Sequence, residues 1–440
     1  MRHLLTILFT SITFFITFGQ DILLEGQVVD HENNQPLAYA HVFLKDLKKG
    51  TITDLDGKFR MTIGESSMSD TLKISMIGFS TYKISINDYF NRSSNIIKLK
   101  NKVTEIKQVV ITSGNVKKQA GLAKQMVNNA IDNITKNYPT RPYLLKGYFR
   151  TAYNENGSYV RLHEVTFDVY DAGYHTKYTN IGNLIIDLKE VRKSNDYRQY
   201  KFDDKGDYID LILRSCDDIR NQKRIMNKEL HKHYSFAMDK ITELDGNKIY
   251  IIKASPNELV HNNKVNSGVE NYTPFVKLYI REGDYAITKI ESDYSHLVGR
   301  WNSFGGVSDT TYTKNTQYYT TYQYAEFDGK WYLYYKSYSR EWEVFDNRSN
   351  KKIVDYSIEE ETIFDERAAR ASVPKRLQDE LLSHNFTSPN NIYKKDFPYH
   401  SNYWRNSNKN VKTRLFRDVK NDLYKHLPLE QQFSENGVGN

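Results

Sequence analysis

Residues 22–112 alternate between apolar and polar positions in short runs, which is the period-two pattern of half-buried β-strands. In the run KFRMTI, for example, Phe59, Met61 and Ile63 fall on one face and polar residues on the other. About seven such runs occur, separated by turn-forming residues. The pattern predicts a small antiparallel β-sandwich over residues 22–112.

A turn signal, Asp54-Leu55-Asp56-Gly57, lies between two of these strands. Aspartate favours turn positions, and glycine tolerates the left-handed backbone that returns the chain to a strand. A calcium loop would need further oxygen ligands at alternate positions and a late bidentate glutamate. The residues after Gly57 do not supply them. The stretch therefore predicts a hairpin turn and not a metal site.

The period changes after residue 112, where apolar residues begin to recur every four positions. The stripe comprises Leu122, Met126, Ala130 and Ile134, with Val127 and Ile131 beside it. This predicts an amphipathic helix from about 117 to 137, within a linker over residues 113–140. Because the stripe is single and strands flank it, we expect it to pack against a core and not a membrane.

Strand patterns return over residues 141–365 and are longer than those before. Glu282-Gly283 and Asp328-Gly329 are typical of hairpin turns between them. Many long strands with distant partners predict one large, curved antiparallel sheet domain.

The tail, residues 366–440, combines helical patterns at 371–384 and 411–427 with polar, irregular stretches. Leu415, Val419 and Leu423 share one helical face, which we expect to clasp the sheet. The predicted fold class is therefore mainly β: an N-terminal sandwich, a linker helix, a larger curved antiparallel sheet and a helical C-terminal tail.

Several motifs of residues 22–112, taken in order, resemble the carboxypeptidase regulatory-like domain. They are GQVVD from Gly26, QPLAYAHV from Gln35, GTITD from Gly50, DGKF from Asp56 and LKISMIGF from Leu72. Phe79 stands where tyrosine is common in that family. The resemblance implies a transthyretin-like or carbohydrate-binding-like sandwich of the kind that opens secreted and outer-membrane proteins of Gram-negative bacteria. It implies a non-catalytic module and brings no active-site residues.

A second resemblance rests on two pieces of the large domain. GNKIYIIKAS (246–255) followed by KLYIREGDYAITKIE (277–291) is similar to the strand pairs of lipoprotein-carrier half-barrels. It implies a half-barrel that could hold a lipid or a lipoprotein.

The N-terminus has the pattern of a secretory signal peptide over residues 1–19. An apolar run from Leu4 to Phe18 follows a basic start, and cleavage is expected before Gln20. No cysteine follows the expected cleavage site directly, and no later segment approaches the roughly 20 apolar residues of a membrane span. We therefore expect a mature chain without a transmembrane helix, in the periplasm or at the outer membrane.

Composition narrows the range of partners that the sequence predicts. The formal charge of +8 is spread over 440 residues without a long Lys/Arg block, so nucleic acid is not an expected partner. The 34 tyrosines offer rings that can stack on sugars, although tyrosine is also an ordinary strand former. The single cysteine, Cys216, cannot form an internal disulfide.

The sequence contains no set of residues with the spacing of a catalytic or metal site. His231 and His233 would share one side of a strand, but a zinc site needs a third ligand, so we expect two surface histidines. Acidic runs at 203–204, 217–218 and 359–361 are typical of solvated surface. We therefore predict no enzyme activity, no catalytic residue, no cofactor and no metal.

Four side chains are candidates for ligand binding: Arg150, Glu164, Trp301 and Trp331. Arg150 and Glu164 lie inside predicted strands with apolar neighbours, where they either form a buried ion pair or line a cleft. The two tryptophans either line a groove for sugar or lipid or pack in the core.

The predicted function is a non-catalytic binding or assembly role in the cell envelope, with a glycan, a lipid or an outer-membrane protein as candidate partners. A first alternative is a periplasmic lipid or lipoprotein carrier with a hydrophobic concavity in residues 141–365. A second is an unrecognised hydrolase, which would gather carboxylates or histidines in one pocket.

Overall fold

The architecture comes from a computed structural model of the chain. It describes residues 21–102, 113–174, 184–200, 217–221, 224–257, 274–295, 311–369, 397–406 and 414–437. The predictions for the signal peptide, for Asp203-Asp204, Cys216 and Trp301, and for the helix at 371–384 lie outside these residues.

The described chain is mainly β. Its strands are β1 Asp21–Asp30, β2 His41–Leu44, β3 Lys49–Ile52, β4 Lys58–Gly64, β5 Thr71–Ser75, β6 Tyr82–Ser85, β7 Ile96–Leu99, β8 Tyr143–Glu155, β9 Ser158–Asp171, β10 Leu184–Lys193, β11 Tyr234–Leu244, β12 Asn247–Pro256, β13 Phe275–Arg281, β14 Ile287–Asp293, β15 Thr311–Phe327, β16 Lys330–Asp346 and β17 Lys352–Ala369. Its α-helices are α1 Ile86–Phe90, α2 Ser113–Asp132, α3 Ile134–Asn137, α4 Asp218–Asn221, α5 Ser401–Asn406, α6 Arg414–Leu423 and α7 Leu429–Glu435. β17 thus runs past residue 365, the predicted end of the sheet domain.

The N-terminal module, residues 21–102, is a sandwich of two small sheets. One sheet has the order β4-β1-β7, and the other has the order β3-β2-β5-β6. Their facing sides bury one apolar cluster that includes Val28, Met61 and Ile74. The predicted sandwich is confirmed with one correction: β7 pairs with β1 in parallel. This pairing is possible because α1 separates β6 from β7 and lets the chain cross to the other sheet.

The turn at Asp54–Gly57 has the predicted form. The Oδ1 atom of Asp54 accepts hydrogen bonds from the backbone N–H of Asp56 (3.0 Å) and of Lys58 (2.8 Å). Gly57 has a φ of +70°, which only glycine adopts without strain. A Cβ atom at Gly57 would lie 2.2 Å from the carbonyl oxygen of Val28. The glycine is therefore required by both backbone conformation and space.

Strands β8 to β17 form one large antiparallel sheet in the order β11-β12-β13-β14-β15-β16-β17-β8-β9-β10. The sheet curls into a half-barrel. Its two edge strands contribute to the same apolar core, β10 through Val191 and β11 through Phe236. The predicted turns at Gly283 and Gly329 join β13 to β14 and β15 to β16, each with positive φ. The prediction of a curved antiparallel sheet is confirmed.

α2 packs on the concave side of this sheet, against β11 and β13. The predicted helix is confirmed, but one member of its predicted stripe is wrong. Leu122 is 47% exposed, while Ala123, Val127 and Ala130 are buried. The buried face is thus the neighbouring one, which carries small side chains that let the helix approach the sheet closely. No described helix is both long enough and apolar enough to cross a membrane.

The C-terminal helices cover the convex side. α6 packs on β9, and α7 packs on β10. Leu415, Val419 and Leu423 are buried against Leu162, as the predicted helical face requires. Leu162 points away from Val165 and the concave core, because successive strand residues alternate between faces.

The module joins the large sheet through a strand edge. Pairing of β16 with β17 ends at Ile363. β3 then takes that side of β17, with Lys49 opposite Glu366. One smaller sheet of the module therefore continues the large sheet.

An ionic contact holds the same two parts together at the turn between β11 and β12. Asp245 accepts from the Lys73 ammonium at 2.6 Å and from the Thr81 hydroxyl at 2.7 Å. Nearby, the ring of His41 lies 4.3 Å from that of Tyr334, centroid to centroid. The module is therefore packed on the sheet and not merely tethered to it.

Candidate functional site

The concave face of the large sheet has an apolar half on β12 to β15. Pairing across these strands places Ile252 opposite Leu278, Leu278 opposite Ile290, and Ile290 opposite Tyr322. The two isoleucines and the leucine are fully buried and share one core with α2. The row exists because alternate residues of each strand point to the same side. It forms a continuous apolar surface beneath the helix.

α2 covers this half with small side chains. Ala123, Val127 and Ala130 are buried, and Met126 and Ile131 pack partly buried beside them. Each Å² of buried apolar surface contributes only about 25 cal/mol, so alanines hold a helix weakly. Segments with few buried apolar contacts open at low free energy. The buried face of α2 thus consists mainly of small side chains, with Met126 and Ile131 at its border.

A neighbouring row of the same face, two residues further along the strands, is polar from β14 to β10. Across paired strands its central row reads Ser292, Thr320, Tyr338, Glu360, Thr151, His163 and Lys193. The Lys336 ammonium lies 3.7 Å from a Glu360 carboxylate oxygen. Glu360 and Glu361 are buried, so the prediction of a solvated acidic run at 359–361 is wrong for both. The concave face thus carries, beside its apolar row, a polar half formed by this row together with Lys336 and Thr362.

His163 shows the sign of the potential in the polar half. The residue is fully buried. Burial lowers the pKa of His163, and the positive charges of Arg161, Arg198 and Lys193 lower it further. The imidazole is therefore neutral near pH 7. The three cations lower its pKa although Asp196 lies 2.8 Å from Arg198 and 3.7 Å from Arg161.

Four hydroxyls in the polar half lack a hydrogen bond among the described residues. They are buried and belong to Ser292, Thr320, Thr151 and Thr362. A buried hydroxyl without a partner forfeits about 1–3 kcal/mol. Each one is a place where an oxygen atom of a ligand or a water would be stabilised.

Asp217 and Asp218 are buried, which corrects the prediction of solvated surface. Asp217 accepts hydrogen bonds from the hydroxyls of Tyr174 (2.5 Å) and Tyr324 (2.8 Å), and burial raises its pKa. Asp218 pairs with Arg224 at 2.8 Å. Local sequence could not reveal this, because both tyrosines come from distant strands or loops.

His231 and His233 do not share a strand, so that prediction is also wrong. Residues Lys228–His233 form a 3-10 turn that begins where the side chain of Asn227 accepts a hydrogen bond from Glu229 N–H. His233 is exposed as expected, but His231 is buried, with Nε2 2.8 Å from the carbonyl oxygen of Ile225, so the expectation of a surface position is wrong for His231. In the described part of the chain, no group of three or more His, Cys, Asp or Glu residues is placed to hold a metal ion.

The sequence candidates Arg150 and Glu164 form a fully buried ion pair. Arg150 Nε lies 2.8 Å from Glu164 Oε1, and Arg150 Nη1 lies 3.3 Å from Glu361. Arg192 and Tyr148 also donate hydrogen bonds to Glu164. Burial alone would raise the pKa of Glu164, but the charges of Arg192 and Arg150 lower it to about 2. The carboxylate therefore stays ionised throughout the physiological range.

This ion pair lies on the convex side, beneath the tail. The ring of Phe416 lies 4.5 Å from Arg150 Cζ, and that of Trp404 lies 4.2 Å from Arg192 Cζ. The network thus ties the tail to the sheet. A ligand-binding role for Arg150 and Glu164 remains an untested prediction.

Trp331 lies in the core on β16, away from that pair. It is 2% exposed, and its ring lies 4.8 Å from Arg281 Cζ. It lines a cavity of about 20 Å³ between the module and the sheet, which has room for about one water molecule. The structure therefore does not bring Trp331 together with Arg150 and Glu164, and Trp301 lies outside the described residues.

The geometry defines a class: a curled antiparallel half-barrel with an amphipathic concave face, joined to a small β-sandwich. Residues 24–111 match the sequence profile of the CarboxypepD_reg-like domain. The chain thus contains a carboxypeptidase regulatory-like domain, as the motif order predicts. No curated protein matches the chain.

Three solved structures resemble the fold at low scores. A protein described as an outer membrane lipoprotein-sorting protein domain, from Vibrio parahaemolyticus, is 9% identical with a TM-score of 0.24, covering 59% of this chain and 99% of its own. A DUF1329 family protein from Desulfovibrio piger is 9% identical with a TM-score of 0.23, covering 59% and 96%. A LolA superfamily protein from Nitrosomonas europaea is 10% identical with a TM-score of 0.18, covering 58% and 96%. At these scores the resemblances carry no functional argument.

Proposed function

We propose that this protein is a non-catalytic binding protein of the bacterial cell envelope that holds an amphiphile on the concave face of its half-barrel. The observation that carries the proposal is the continuous apolar row on β12 to β15 beneath a helix of small side chains. An acyl chain would take the place of α2 on Ile252, Leu278 and Ile290.

The polar half of the same face gives the ligand its orientation. An apolar chain would occupy the end under α2, and a negatively charged head group would lie near Lys193 and Lys336. The buried hydroxyls of Thr151 and Thr362 would then gain hydrogen-bond partners. A purely apolar ligand would leave those groups unsatisfied.

The envelope location of the proposal rests on two observations. The first is the predicted signal peptide over residues 1–19. The second is the regulatory-like domain at residues 24–111, of a kind that the motif resemblance associates with secreted and outer-membrane proteins.

The first test extracts the purified full chain with organic solvent and identifies bound lipid by mass spectrometry. We expect a co-purified fatty acid or phospholipid at a substantial molar fraction. Titration with a fluorescent fatty acid, cis-parinaric acid, should show saturable binding. Absence of both co-purified lipid and saturable binding would overturn the proposal.

A matched pair of variants on one strand locates the site. Leu278→Asn places an amide in the concave apolar row and should weaken cis-parinaric acid binding roughly tenfold. Lys277→Asn changes the adjacent residue, which points to the other side of the sheet, and should leave binding unchanged. Equal loss in both variants would place the ligand elsewhere.

Hydrogen exchange of the unmodified protein tests whether α2 moves when a ligand binds. Amides of α2 should exchange faster than those of β16 in the free protein, because the helix is held by few large side chains. Addition of cis-parinaric acid should change exchange in α2 and leave the outer side of β8 and β9 unaltered. Unchanged α2 exchange at saturating fatty acid would contradict helix displacement.

A further inference from the structure

The convex side of β12 to β15 carries an open groove of about 530 Å³. Its outward-pointing side chains alternate with Val276, Ser292 and Thr320, which are buried and face the concave side. Those three residues also border the groove, but the exposed side chains of its lining, those of Phe275, Lys277 and Tyr319, point to the convex side. Its volume falls in the range of about 300–1,000 Å³ typical of small-ligand sites.

Two exposed aromatic side chains flank this groove. Phe275 is 39% exposed, and Tyr319 is 41% exposed. Phe275 pairs with Asp293, and Asp293 pairs with Tyr319, so the aromatics stand two strands apart. That spacing is roughly 10 Å, with the carboxylate between them.

The charged groups of the groove balance one another. Lys253 and Lys277 supply donors, and Glu291 and Asp293 supply acceptors. The Lys277 ammonium lies 4.0 Å from Glu291, and Lys253 pairs with Asp239 at 2.8 Å. The lining thus offers many hydrogen-bonding groups without a net charge that would select an anion or a cation.

We propose that this groove binds a neutral oligosaccharide. The C–H faces of a sugar ring stack on aromatic side chains, and its hydroxyls both donate and accept hydrogen bonds. An acyl chain on this surface would desolvate four charged side chains without replacing their hydrogen bonds. A polyanion such as nucleic acid would meet as much negative charge as positive charge. A neutral sugar can therefore stack on the two aromatic rings and form hydrogen bonds with the charged side chains between them.

The test is isothermal titration of the full chain with neutral hexasaccharides of glucose, xylose, mannose or N-acetylglucosamine units. At least one should bind, with little dependence on salt because no ion pairs form with the ligand. Tyr319→Ala and Phe275→Ala should each weaken that binding roughly tenfold. Tyr424→Ala and Phe90→Ala remove equally exposed aromatic side chains from other surfaces and should leave binding unchanged.

Three results would overturn the proposal. The first is that no hexasaccharide binds. The second is that the Phe275→Ala/Tyr319→Ala double variant binds the sugar as tightly as the wild type does. The third is that an unrelated peptide displaces the bound sugar. The same double variant should keep its affinity for cis-parinaric acid, so this failure is distinguishable from failure of the concave-face proposal. Thermal unfolding of every variant checks that the fold is retained.

Discussion

A buried charge is stable only while its partners stay in place, and Glu164 has two basic partners. Arg150 and Arg192 both contact its carboxylate, and all three side chains are buried. The sequence placed Arg150 and Glu164 inside strands and offered a buried ion pair as one of two interpretations, but it could not decide between them, because the contact depends on the register of β8 and β9. The sequence did not indicate Arg192 as a partner of Glu164, since Arg192 lies on a third strand, β10.

Glu164→Gln should lower the free energy of unfolding by roughly 3–5 kcal/mol, because it removes the buried carboxylate charge that two buried guanidinium groups share. Urea unfolding measures the change. Asp132→Asn removes a carboxylate that is 61% exposed and paired with Lys228, and it should alter stability by less than about 1 kcal/mol. Similar losses of unfolding free energy in the two variants would show that burial does not increase the contribution of the ion pair to stability.

Acid should weaken the fold through the same carboxylate. The pKa of Glu164 is about 2 in the folded chain, against an ordinary value of 4.5. Its contribution is therefore fully present above pH 4.5 and is lost as the pH falls towards 2. Between pH 6 and pH 3 the wild type should lose roughly 2 kcal/mol more than Glu164→Gln does. Parallel stability curves for the two proteins would contradict this assignment.

At the scale of elements, local patterns predicted what forms and non-local contacts decided where it lies. Alternation and turn residues gave the strands, the hairpin turns at Gly283 and Gly329, and the helix at α2. They could not choose the buried face of α2, because Leu122 is more hydrophobic than Ala123 and only the close approach of the sheet favours the smaller residue. The rows of the concave face could not be predicted from sequence either, since they depend on the register of the strands.

The turn at Gly57 yields a test of local geometry. Gly57→Ala forces an L-residue into φ +70° and puts its Cβ atom against a backbone oxygen. Gly329→Ala has a matching φ of +69° but no atom within 4 Å of the new Cβ. Both substitutions should destabilise, and Gly57→Ala should cost roughly 1–3 kcal/mol more because the backbone must shift. Chemical denaturation of both variants separates the steric clash from the conformational strain. Equal losses of unfolding free energy in the two variants would exclude a contribution from the clash.

At the scale of the whole molecule, the module and the half-barrel behave as parts of one sheet. The order of the motifs predicted the module, but nothing in the sequence indicated that β3 would pair with β17. That junction combines a strand edge, the contacts of Asp245 and the packing of His41 on Tyr334. We therefore expect the two parts to unfold together.

Asp245→Ala tests this coupling, because it removes the acceptor of both Lys73 and Thr81. It should lower overall stability by roughly 1–3 kcal/mol and broaden or split the calorimetric transition. Lys248→Ala, in the same hairpin but in an exposed ion pair, should leave one sharp transition. Two separate transitions in the wild type would show that the junction does not couple the parts.

The shared junction also bears on how the chain can be divided. A fragment beginning after residue 112 would uncover the aromatic patch around Tyr334 and Tyr335 and leave one side of the end of β17 without its neighbour. Bare aromatic patches and open strand edges make polypeptides adhere to one another. The half-barrel expressed alone should consequently aggregate, whereas both parts produced as one chain stay dispersed.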